Sequence, residues 1–230
     1  MKDMQRYKSK EGLLSINMDK IVQKSGFSKK ELLLLKPLLK EPWREFTLSE
    51  IKRSSGNKSH HYVFEALKQF SSFGMLKEEK RGNTNTYCLN EHNTDFSYLS
   101  LLEALIKQER KDIPFNNVLK VVEKIKNKFY SLLVVGSYAE KKQKPNSDMD
   151  LAIIIPDTES KKPYEAALRE GEFTIPEIHG LVFSQSELLL MLTNKEFNFG
   201  KEIVKKHVLI LGAEPYYKIL FEAIQNGFKG

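Results

Sequence analysis

The sequence predicts a mixed α/β (α+β) chain in two parts: three helices with a hairpin, then a mixed sheet flanked by helices. Three observations carry this prediction. Capping signals and helical apolar spacing fill residues 28–73, and two short segments around a turn follow at 75–89. Aliphatic runs at 129–135, 151–155 and 176–183 read as strands, with helical stretches between them. The expected divisions are 1–90, a connecting helix within 91–112, and a second unit at 113–230. The boundary falls at Asp112-Ile113-Pro114, because proline cannot continue a helix.

In chain order, the segment before Ser28 has no clear pattern. Ser28 reads as an N-cap, Glu31 completes a capping box, and a helix is expected to Leu39, with Pro42 beyond its end. Thr47 and Glu50 repeat the box and open a short helix that stops near Gly56. Residues 58–73 follow as a third helix, with Val63, Ala66, Leu67 and Phe70 at helical spacing and Gly74 as terminator. A hairpin is expected over 75–89, turning at Arg81-Gly82-Asn83-Thr84.

Three helices and a basic-tipped hairpin look like a winged helix-turn-helix. In that fold the third helix enters the major groove and the wing touches the backbone. The candidate nucleic-acid-binding residues are Lys58, Ser59, His60 and Lys68 on the helix, with Lys80 and Arg81 at the wing tip. The bland alternative is a solvated helix face on a spacer or dimerisation module.

The second part opens with a connecting helix over 96–110 and another over 114–129. The strand at 129–135 ends at Gly136-Ser137, where small residues let backbone N–H groups approach a phosphate. Asp148-Met149-Asp150 then opens the aliphatic run 151–155. A strand repeats every two residues, so both carboxylates point to one side and offer four oxygens to a hard cation. A helical stretch near 164–169 leads to the strand-like 176–183, where Glu177 and His179 share a face. Ser184 and Glu187 cap a further helix, 207–211 reads as a strand, and 213–225 as a closing helix.

Gly-Ser, a short spacer and Asp-x-Asp on a strand resemble the polymerase-beta-type nucleotidyltransferase superfamily, and its small stand-alone members above all. The resemblance covers about 113–217. It implies a mixed sheet, a nucleoside triphosphate substrate and Mg2+ (or Mn2+) held by Asp148, Asp150 and a third carboxylate on a neighbouring strand. Glu177 is the acid at that place, where relatives more often carry Asp; the competing reading is a solvated rim Glu. His179 is expected to be a structural or rim histidine. Gly136 and Ser137 are the implied nucleotide cradle. Many relatives have Arg-Gly after Gly-Ser, where this chain has Glu140-Lys141; Lys141 and Lys142, with Lys144, are the candidate replacements for that charge.

The implied activity is Mg2+-dependent transfer of a nucleoside monophosphate, AMP by expectation, to a hydroxyl of a protein, RNA or small-molecule acceptor. The alternative is a DNA-binding transcriptional regulator whose second half senses nucleotides without turnover. A third reading is an antitoxin-like partner that adenylylates a small helical protein. Expected partners are the nucleoside triphosphate, DNA through the N-terminal part, a protein or RNA acceptor, and a second copy in a homodimer.

Composition bounds these readings. The chain has 230 residues and a net charge of +7. Residues 1–90 hold 18 Lys+Arg against 10 Asp+Glu, and the remainder 19 against 20, so the basic excess lies in the N-terminal part. No run approaches the roughly 18 apolar residues of a membrane span, and the charged residues 1–6 precede no signal-peptide core. The single Cys88 cannot form an internal disulfide, which fits the expected cytoplasmic location.

Overall fold

A computed structural model describes residues 22–230 apart from Lys24, Asn93 and Lys128. The segment before residue 22 therefore lies outside the described residues. The architecture is mixed α/β with two sheets.

The N-terminal part runs helix, strand, helix, helix, hairpin. Ser28 and Glu31 close their capping box, Ser28 N–H donating to Glu31 Oε2 at 2.7 Å. The helix predicted over 28–39 is broken into α1 (Lys29–Leu32), a 3-10 turn at Leu33–Leu35 and α2 (Lys36–Lys40). Pro37 explains the break, since it lacks the N–H needed to continue the α-helical ladder. The short β1 (Phe46–Thr47) leads through the Thr47/Glu50 capping box into α3 (Leu48–Ser54). Helix α4 is His60–Ser72, two residues shorter at its start than predicted, because Ser59 is its N-cap. It buries Val63, Ala66, Leu67 and Phe70. Strands β2 (Leu76–Arg81) and β3 (Thr84–Leu89) form the expected hairpin, and β1 joins β3 in the order β1-β3-β2.

Helix α5 (Phe96–Gln108) connects to α6 (Phe115–Lys124), which ends five residues before the predicted Phe129. Asn127 is the reason: its side-chain oxygen accepts from Phe129 N–H at 2.9 Å, a local turn that competes with the helix. Then follow β4 (Ser131–Val135), α7 (Gly136–Glu140), β5 (Met149–Ile155), α8 (Lys162–Arg169), a 3-10 turn (Glu170–Phe173) and β6 (Ile178–Ser184). Last come α9 (Gln185–Thr193), α10 (Phe199–Lys205), β7 (Val208–Leu211) and α11 (Ala213–Gln225). The sheet order is β6-β5-β4-β7, with β5 parallel to β6 and the other pairs antiparallel.

Strand alternation sorts this sheet into two faces. Leu132, Val134, Leu151, Ile153 and Ile178 pack in one core with Val118, Val121 and Tyr164. Leu133, Val135, Ala152 and Ile154 pack in the other with Leu188, Ile203 and Tyr217, and that core continues into the N-terminal helices. Trp43 meets Phe228 edge-on, 5.2 Å between ring centroids, so the N-terminal part and the segment after α11 share one apolar interior. No helix among the described residues is long and apolar enough to cross a membrane.

Glu103 on α5 is buried and accepts a 2.5 Å hydrogen bond from the Tyr217 hydroxyl on α11. Burial pushes its carboxyl from 4.5 up to about 7, against the pull of the tyrosine bond. The unfolded carboxyl ionises near 4.5, so between there and 7 the unfolded state releases its proton first. Stability is then predicted to fall with rising pH across that window, by about 3 kcal/mol in all. Glu103→Gln should flatten this decline, checked by urea unfolding at a series of pH values.

Candidate active site

Gly136, at φ +64°, ends β4 and starts α7. The position tolerates no side chain, because a Cβ there would lie 2.5 Å from Asp150 Oδ2. The Asp150 carboxylate thus rests on the bare glycine backbone. Asp150 pairs with Val135 of β4 on one side and with His179 of β6 on the other. Burial raises its carboxyl above the usual range; His179 opposes that and Asp148 adds to it.

Asp148 lies one residue before β5, and Glu177 one residue before β6. Met149 N–H donates to the Glu177 carbonyl at 2.8 Å, which aligns the two strand entrances. Behind Glu177, the Thr174 hydroxyl lies 2.6 Å from the Pro176 carbonyl, and Asn117 Nδ2 donates to the Ile175 carbonyl at 2.8 Å. The His179 Nε2 sits 3.4 Å from Glu177 Oε1 and 3.8 Å from Asp148 Oδ2. One ligand atom from each of Asp148, Glu177 and His179 falls within 4.8 Å of the others, and all three residues are exposed. His179, expected to be a structural or rim histidine, is exposed and lies near both acids. The signal that finds it is register, since it is the β6 neighbour of Asp150.

A cavity of about 300 Å³ opens beside these groups. Gly136, Asp150 and His179 form its polar wall, Leu151, Leu181, Phe199 and Ile203 its apolar wall, and Glu140, Glu202 and Lys206 complete it. Asn198 caps α10 by accepting from Lys201 N–H at 3.2 Å, and this helix brings Phe199, Glu202 and Ile203 to the cavity. Neither α10 nor Lys206 was singled out from the sequence, although Asn198 followed by a helical pattern is a capping signal. Lys206 lies 3.3 Å from Glu140.

Lys141 and Lys142, expected at the nucleotide, are exposed and do not line this cavity. Lys142 pairs with Glu140 at 3.1 Å, and Lys141 takes the left-handed turn that ends α7. Ser137 is half-buried, its carbonyl accepting from Lys142 N–H at 2.9 Å. Arg110, also not anticipated, is buried; it grips Asp112 and donates to the Tyr138 and Ala139 carbonyls of α7. It is a positioning residue for the turn at Gly136.

In the N-terminal part, Lys58, His60, Lys68 and Lys80 are exposed with no ion pair among the described residues. Ser59 is committed to its cap, accepting from Tyr62 N–H at 3.2 Å. Arg81 is held by an ion pair to Glu45.

The donor set fits a divalent cation. Asp148 and Glu177 offer the oxygens that Mg2+ prefers, and the His179 imidazole adds a nitrogen that transition metals such as Mn2+ accept; Asp150, expected from the sequence as a ligand, is not part of this group.

Residues 116–223 match the family model described as a nucleotidyltransferase domain. Two solved structures are similar. One is described as the crystal structure of a toxin-antitoxin with AMP-PNP, at 17% identity over 50% of this chain and 84% of that chain, TM-score 0.35. The other is TrmBL2, an archaeal chromatin protein described as showing a novel mode of DNA binding, at 14% identity over 92% and 95%, TM-score 0.27. At these scores neither likeness carries an argument. No curated protein matches the chain.

Gly136→Ala is predicted to cost about 1–2 kcal/mol from the left-handed backbone alone, plus the displacement of Asp150. A urea-unfolding cycle with Asp150→Ala checks this: the double variant should be more stable than the sum of the single losses implies.

Proposed function

We propose that the chain is a nucleotidyltransferase moving a nucleoside monophosphate, AMP by preference, from a nucleoside triphosphate to an acceptor hydroxyl. The observation that supports this most is the grouping of Asp148, Glu177 and His179 within ligand distance of one another, with His179, Asp150 and Gly136 lining one cavity. In this reading Asp148, Asp150 and Glu177 are both the catalytic and the metal-holding residues. A bound Mg2+ or Mn2+ supplies charge stabilisation for the attacking and leaving oxygens.

The protein's own groups do the rest. The turn at Gly136 and Ser137 receives the triphosphate, with Lys206 supplying the positive charge that was assigned to Lys141 and Lys142. The wall of Leu181, Phe199 and Ile203 takes the apolar part of the nucleotide. Catalysis of this kind is mostly positioning and fixed charge, so few other groups are needed.

The domain plan that goes with it is a winged helix-turn-helix over 1–90, a connecting helix in 91–112 and the catalytic domain over 113–230. A second reading, a DNA-binding regulator with a nucleotide-sensing domain, is favoured by Lys58 just before α4, His60 and Lys68 on it and Lys80 on the hairpin, all exposed and without an ion pair among the described residues. The test uses purified protein, α-labelled ATP, CTP, GTP and UTP, Mg2+ and cell extract. Wild type should transfer label, from ATP above the others, and Asp148→Asn should transfer about a hundredfold less or worse, in line with losing a key electrostatic group. A folded wild type that transfers nothing, yet binds duplex DNA through Lys58 and Lys68, would replace the first reading with the second.

A further inference from the structure

A second cleft, of about 470 Å³, lies next to the active-site cavity and shares Glu140 and Lys206 with it. It runs between the end of α2 in the N-terminal part and the ends of α7 and α10 in the catalytic domain. Its cations are Lys36, Lys40, Arg110, Lys141, Lys205 and Lys206. Three of them are matched: Lys36 by Glu109 at 2.9 Å, Arg110 by Asp112 at 2.7 Å and Lys206 by Glu140 at 3.3 Å. Lys40, Lys141 and Lys205 are exposed and have no ion pair among the described residues. Glu103, also in this wall, opposes them weakly, because burial raises its carboxyl to about 7.

The cations outnumber the glutamates Glu103, Glu109 and Glu140 of the lining, and a cleft with a net positive wall draws in counter-charge. Three free lysines on three separate elements suit a repeating anion better than a single phosphate. Among the described residues no Phe, Tyr or Trp lines the cleft, so its contacts are to phosphates, which carry no sequence information, rather than to bases. The basic excess of residues 1–90 has the same sign, and Lys40 brings that part of the chain to the wall.

We propose that this cleft is the track of a single-stranded nucleic acid whose terminal 3′ hydroxyl enters the active site as the nucleotidyl acceptor. The acceptor assignment rests on the transferase reading above; the binding track does not. The hydroxyl oxygen bonds to the α-phosphorus, the bond from that phosphorus to its bridging oxygen breaks, and pyrophosphate leaves. The hydroxyl proton passes to a site carboxylate and on to solvent. Lys40, Lys141 and Lys205 hold phosphates upstream of the end, and the sequence of the strand goes unread.

The binding test is fluorescence anisotropy of a short 5′-fluorescein oligouridylate with the full chain across a salt series. Lys40→Ala/Lys205→Ala should bind about tenfold more weakly, with a slope of log affinity against log salt shallower by about 1.4, some 0.7 for each lost phosphate contact. Wild-type affinity and slope in that variant would overturn the track, as would binding that depends on Lys58 and Lys68 instead. The acceptor test adds α-labelled ATP and Mg2+. Label should move to the oligonucleotide with a free 3′ hydroxyl and not to its 3′-deoxy form. Label on a protein acceptor, with the oligonucleotide left unlabelled, would overturn the acceptor assignment. A protein inactive with every acceptor, yet binding with the lysine-dependent slope, would keep the track and remove only the transferase reading.

Discussion

The parallel pairing of β5 with β6 is the constraint on which the candidate site depends. Its register puts Asp150 beside His179 and aligns the two strand entrances, where Asp148 and Glu177 sit. A slip of one residue would turn every side chain of β6 to the opposite face. His179 and Glu177 would then exchange places with Ile178, a residue wholly buried in the core. Core packing and site assembly are thus enforced by the same ladder, and the apolar residues of β6 hold the acids in place. The other half of the constraint is Gly136: without a Cβ, it lets the Asp150 carboxylate lie flat against the turn.

The connecting helix makes the N-terminal part more than an appendage. Glu103 reaches Tyr217, Lys107 donates to the Ile210 carbonyl at 3.2 Å, and Arg110 holds two carbonyls of α7. The end of α2 and the end of α7 line the same cleft. The basic cleft exists because of that docking. A ligand spanning it would touch both parts of the chain at once, which gives a physical route from the N-terminal part to the chemistry.

Much of this was legible in the sequence, and the reasons are local. Capping boxes at Ser28, Thr47 and Ser184 located helix starts, because the reciprocal bonds involve residues only three apart. The strand carrying Asp150 was legible from its aliphatic run, with Asp148 one residue before its start. What escaped is what tertiary structure decides. His179 could be assigned to the rim or to the site only once the β5–β6 register was known. Helix α10 has seven residues and only a short apolar signal, so Phe199, Glu202 and Lys206 were missed as cavity walls. Lys141 and Lys142 looked like phosphate ligands by sequence distance, but the turn closing α7 leaves them outside the cavity. Pro37 and Asn127 shortened helices by removing or capturing single hydrogen bonds, effects that apolar periodicity does not register.

The central claim is that these acids and this cavity form one metal-dependent nucleotide site. Calorimetric titration of the full chain with a non-hydrolysable ATP analogue, with and without Mg2+, tests it most directly. The account predicts binding that requires the divalent ion and is lost in Asp150→Asn. Binding of equal strength without the ion, or unchanged in that variant, would contradict it.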